Sequence, residues 1–135
     1  MVDAVYVARD EATVWAEWYR YLAEHGIPPL RQLPRDLWRY RVRGLEVADL
    51  SDSVRLARVG LSAPSPGRGT WPPFQAVGET LWREGWAGLL APSAAHPSGR
   101  VLCLFVDDPT ALPAEPVPPP TVVVEPPVPP TGLRT

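Results

Sequence analysis

From Leu112 onward the chain reads LPAEPVPPPTVVVEPPVPPTGLRT, and Pro interrupts every attempt at regular structure. Pro has no backbone N–H and fixes φ, so this stretch builds neither helix nor inner strand. Residues 112–135 are therefore expected to form an extended, polyproline-like or disordered tail. A polyproline ligand for an aromatic groove is one use of such a segment, and plain disorder is the other. The folding unit is then 1–111, about 110 residues, which suffices for one core and one domain.

Charge narrows the function. The net charge is −2, all 13 basic residues are Arg, and these are scattered. A nucleic-acid binder relies on a basic face, so direct nucleic-acid binding is not expected. The single Cys, Cys103, excludes an internal disulfide and reads as a small buried thiol in VLCLFV. No apolar run approaches the ~20 residues of a membrane span. Met1 is followed by VDAVYVARD, without a basic-then-apolar leader. A cytoplasmic protein is the expectation.

Hydrophobic periodicity predicts a mixed α/β (α+β) domain: a small twisted sheet of about five strands with two or three helices. Val2 to Ala8 is a β-branched and aromatic strand. Asp10 caps a helix from Glu11 to His25, stopped by Gly26 and Pro28-Pro29. Val14, Trp18 and Leu22 mark its core face, widened by Trp15 and Tyr19. Thr13, Glu17, Arg20 and Glu24 share its polar face. Leu37 to Val42 alternates with Trp38 and Tyr40 inward, and with Leu45 to Leu50 it suggests an antiparallel pair. Ser51 or Asp52 caps a short helix through Val59. Leu61 to Trp71 is a Gly/Pro/Ser loop; its Gly67-Arg68-Gly69 is not a phosphate-binding loop, because no Lys follows. A helix from about Phe74 to Glu84, a short strand Leu89 to Ala91 and an apolar central strand Val101 to Val106 complete the pattern.

Taken alone, the polar residues name no chemistry. Glu17 reads as a solvated helix carboxylate paired with Arg20 at i, i+3. Tyr6 reads as a half-buried strand aromatic, and Ser93 as a turn residue after Pro92. His25 and His96 have no metal-ligand spacing, so no metal site is expected. No G-x-S-x-G surrounds Ser93, which argues against a Ser–His hydrolase.

Three segments in order change this. They are VYVARDEATVWAEW, with ten residues between Tyr6 and Glu17; WRYRVRGLEVADLSD; and QAVGETLWREGWAGLLAPSA, followed by VLCLFV. Together they resemble the RES family over Val2 to Asp107. The resemblance implies a fold similar to ADP-ribosyltransferases and a toxin that degrades NAD by cleaving its nicotinamide–ribose bond. NAD would be substrate, with no cofactor. It implies catalytic and NAD-binding roles for Glu17 and Ser93 and an NAD-binding role for Tyr6. Activity would be that of an NAD glycohydrolase or phosphorylase, or ADP-ribosyltransferase-like. The implied partner is a Xre-type antitoxin, which would carry the DNA binding. The family's Arg lies upstream of the Tyr strand, and no Arg precedes Tyr6 here. Arg20 and Arg100 are conceivable substitutes. The chain is expected to be N-terminally short, through a truncated gene, a misassigned start or degeneration. An inactive remnant acting only as an antitoxin-binding or interaction module is the alternative.

Overall fold

In the computed structural model, residues 2–66 and 71–135 are described; Gly67-Arg68-Gly69 of the expected loop lies outside them. Three α-helices and six strands in two sheets are formed among these residues, a mixed α/β fold. Strand β1 (Asp3–Ala8) leads into helix α1 (Glu11–His25). After a 3-10 turn come β2 (Arg35–Arg41), β3 (Val47–Asp49), α2 (Ser53–Arg58) and α3 (Trp71–Arg83). Strands β4 (Gly88–Pro92), β5 (Arg100–Val106) and β6 (Glu115–Val123) close the order.

Four strands form the main sheet in the order β1-β5-β4-β3, with β3 and β4 parallel and the other pairs antiparallel. Strand β5 is inner, as its continuous apolar run predicts. Phe105, Leu89 and Ala91 pack with Leu56 of α2 and Leu81 of α3 in one buried cluster. Leu104 alternates to the opposite face and is fully buried as well, so the sheet is covered on both sides. Gly88 permits the close β4–β5 approach, because a Cβ there would land on the Cys103 carbonyl oxygen.

The caps follow the sequence. Asp10 Oδ1 accepts from Thr13 N at 2.8 Å, and Gly26 ends α1 in the left-handed region at φ 63°. Asp52 caps α2 by accepting from Arg55 N. Helix α3 begins earlier than expected, at Trp71, because Pro72 and Pro73 fall in its first turn, where a missing N–H costs nothing.

Three expectations need correction. First, β2 and β3 do not pair with each other. Strand β3 joins β4, and β2 joins β6 in a separate two-stranded ribbon. Alternation fixes which residues share a face but not which strand is the neighbour. Secondly, Trp38 and Tyr40 of this ribbon are exposed, at 39% and 44%, rather than turned into a core. Thirdly, residues 112–135 are not a disordered tail throughout. Glu115–Val123 forms β6, pairing Arg35 with Val123 and Arg41 with Glu115. A two-stranded ribbon has only edge strands, so Pro can point its ring side outward without breaking a ladder bond. The register shifts between Leu37 and Arg39, opposite Pro118 to Pro120. Farther on, the Tyr19 hydroxyl donates to the Pro127 carbonyl, and Arg134 N donates to Ala95 O at 2.7 Å. The Pro-rich segment thus lies against α1 and the turn after β4.

Helix α1 also departs from its predicted faces. Trp15, Ala16 and Leu22 are buried, but so is Thr13, at 0% exposure, on the side predicted to be polar. The turn between β4 and β5 covers that side. A Cβ at Gly99 would collide with the Thr13 hydroxyl.

Candidate functional site

Glu17 sits two turns beyond the Asp10 cap, where the backbone of α1 is fixed by helix hydrogen bonds. Its carboxylate meets two donors from different directions. The Ser93 Oγ donates to Oε1 at 2.6 Å, across 76 residues of chain. Arg20 Nε and Nη2 both donate to Oε2, at 3.1 and 2.8 Å. The i, i+3 pair expected from the sequence is present, but it is half of the arrangement.

Ser93 is held by its own turn. At the end of β4, with 2% exposure, its Oγ accepts from Ala95 N at 3.2 Å and from His96 N at 3.0 Å. The hydroxyl proton is thereby directed at Glu17. Ser93 is a positioned donor, and Glu17 is a carboxylate with its orientation set by both neighbours.

Beside this pair opens a cleft of about 620 Å³, large enough for a nucleotide-sized ligand. Glu17 and Arg20 of α1 are among its lining residues, with Tyr6 and Cys103 of the sheet and Trp71 and Phe74 of α3. Its aromatic side chains suit a flat ring, and Glu17 adds a carboxylate to the same lining.

Tyr6 is paired directly across the ladder with Cys103. Its surface is 69% exposed, yet its phenol is pushed up to about 12, first by desolvation and then by the neighbouring Cys103 sulfur. A ring in the mouth of a concave site reconciles the two: solvent reaches it, but protein crowds the hydroxyl. Desolvation raises the Cys103 thiol too, and the Tyr6 hydroxyl partly offsets this. Cys103 is half-buried rather than fully buried.

The fold therefore brings Glu17 and Ser93 into contact and places Tyr6 in the same cleft. Of the two Arg substitutes considered, Arg20 is committed to Glu17, and Arg100 donates from Nη1 to Gly99 O at 3.0 Å. Sequence reasoning missed Trp71 and Phe74 as cleft walls. Their spacing marked them only as loop and core. Among the described residues, no three His, Cys, Asp or Glu gather as a metal site. No helix among them is long and apolar enough to cross a membrane.

The chain matches no curated protein and no solved structure. The family model described as the RES domain matches residues 1–125, which takes in both sheets, β6 included. A match over that much of the chain, with the Glu17–Ser93 contact inside it, places this protein in the RES domain family.

Proposed function

We propose that this protein is an NAD-degrading enzyme of the toxin type, which cleaves the nicotinamide–ribose bond. The observation that carries the reading is the Glu17 carboxylate, fixed by Ser93 at 2.6 Å on the wall of a nucleotide-sized aromatic cleft. Leaving of nicotinamide develops positive charge on the ribose, as in glycoside cleavage. A preorganised carboxylate at that place stabilises the charge and accepts from a ribose hydroxyl, an effect worth several kcal/mol. Ser93 holds Glu17 in the productive orientation, and Tyr6 stacks on the substrate or hydrogen-bonds to it. With water as acceptor, the C–N bond breaks and a C–O bond forms. The products are nicotinamide, ADP-ribose and one proton. An ADP-ribosyltransferase-like fold and a Xre-type antitoxin covering the cleft belong to the same reading, supported by family membership.

The test is release of nicotinamide from NAD by the purified full chain, with Glu17→Gln as control. The reading expects release by the wild type and at least a hundredfold less from the variant. Equal, background-level release from both would discard it.

A further inference from the structure

A second cavity, of about 270 Å³, is lined by Ser93, the residue that donates to Glu17. It shares Pro64 and Pro92 with the main cleft, and Ser93 is part of its wall. Two arginines line it, Arg100 and Arg134. They arrive from separate parts of the chain. Arg100 opens β5, and its Nη1 is steadied by the carbonyl oxygens of Pro97 at 3.4 Å and Gly99 at 3.0 Å. Arg134 comes from the Pro-rich segment, fixed to the Ser93 turn by its own N–H on Ala95 O at 2.7 Å.

One acid, Asp52, also lines the cavity, but its charge is in use. Its Oδ1 accepts from Arg55 N at 2.8 Å, and its Oδ2 lies 3.5 Å from Arg55 Nε. The balance inside the cavity is positive. Arg20 is the other candidate cation near the cleft, and its guanidinium is spent on Glu17. Arg forks match the oxygens of a phosphoryl group in shape as well as charge.

We infer that this second cavity is an anion subsite that holds a phosphoryl group between Arg100 and Arg134. The group comes either from the diphosphate of a dinucleotide whose ribose lies at Glu17 or from free inorganic phosphate. The first source rests on the NAD-cleaving reading; the anion site itself does not. The C-terminal segment would then supply part of the site.

Isothermal titration of the full chain with ADP, and separately with inorganic phosphate, tests this. Arg134→Ala is the informative variant, because its side chain is exposed at the chain end and its loss leaves the core intact. Arg134→Ala and Arg100→Ala are expected to weaken binding at least tenfold, with partial recovery in Arg134→Lys. Inorganic phosphate needs no ribose at Glu17 to bind, so its arm separates this test from that of catalysis. Tight ADP with weak phosphate assigns the diphosphate source. Phosphate that binds more tightly than ADP assigns the free anion. Both support the subsite. Affinity unchanged within twofold in Arg134→Ala and Arg100→Ala, or no binding of either ligand by wild type at millimolar concentration, overturns it.

Discussion

Replacing Ser93 by Ala probes the contact on which the site depends. The Oγ makes three bonds: to Glu17 Oε1 at 2.6 Å, from Ala95 N at 3.2 Å and from His96 N at 3.0 Å. Ala removes all three without changing the backbone. Ala95 is completely buried, so its N–H is left with no water to replace the hydroxyl. The His96 N–H is half-buried, and the Glu17 side chain, 26% exposed, regains hydration on one side. An orphaned buried group costs about 1–3 kcal/mol. The ensemble should lose about 2–4 kcal/mol, and for a chain of this size about 3–5 °C of Tm accompanies each kcal/mol. Calorimetry should therefore show a fall of about 10 °C. A double-mutant cycle with Glu17→Ala isolates the bond itself, and a coupling of about 1–2 kcal/mol is expected for a charge-assisted contact. If the two substitutions add within about 0.4 kcal/mol, the residues do not interact in solution and the argument for a preorganised carboxylate fails.

Other consequences are open to measurement. Ending the chain after Leu112 removes β6, the strand paired with β2, and should lower the melting temperature; an unchanged melt would return the segment to the status of a free tail. Gly99→Ala drives a methyl into the Thr13 hydroxyl and the His96 ring, and should destabilise by about 1–3 kcal/mol as overpacking, read by urea denaturation. Asp10 is held below the usual carboxylate range by the Thr13 N–H, so its contribution is present above the unfolded value of 3.8 and fades as pH falls through the lower folded one. Asp10→Asn should flatten the acid limb of stability against pH, and a parallel limb would contradict the cap. Tyr6, raised to about 12, makes the fold bind an extra proton above pH 10, so stability falls as pH rises from about 10 to 12. Burial raises the Tyr19 phenol as well, so absorbance titration of phenolate should show a late fraction that shrinks, without vanishing, in Tyr6→Phe.

Local chemistry was legible in the sequence wherever a single residue decides the outcome. The Asp10 cap, the choice of Ser51 or Asp52 as the α2 cap, which Asp52 takes, the Gly26 stop and the inner position of the Val101 to Val106 run all follow from propensities that act within a turn or two. Strand partners are a different matter. The alternation in Leu37 to Val42 is compatible with any neighbour, and the neighbour lies some eighty residues onward, in a segment whose composition argued against strands. The Val122-Val123 pair was the overlooked signal, since β-branched residues among prolines favour an extended ladder partner. The burial of Thr13 was equally hidden, because periodicity assumes that a helix has one covered face. The contact between Glu17 and Ser93 was legible only through the order of the three segments, not through any local property; the spacing of Glu17 from Arg20 pointed to an ordinary surface pair.

Covering α1 from two sides has a consequence for the site. A surface carboxylate paired only with Arg20 would share its orientation among several rotamers, and such a pair contributes little. Here the turn after β4 adds a donor that is itself buried, and the Pro-rich segment closes over that turn through Arg134 N and reaches α1 through the Tyr19 hydroxyl. Order passes inward along this chain of contacts, from segment to turn, from turn to Ser93, and from Ser93 to Glu17. Three hydrogen bonds separate the carboxylate from the last residues of the chain, so the segment that forbids a helix by its composition helps fix the one acidic group on which the proposed chemistry turns.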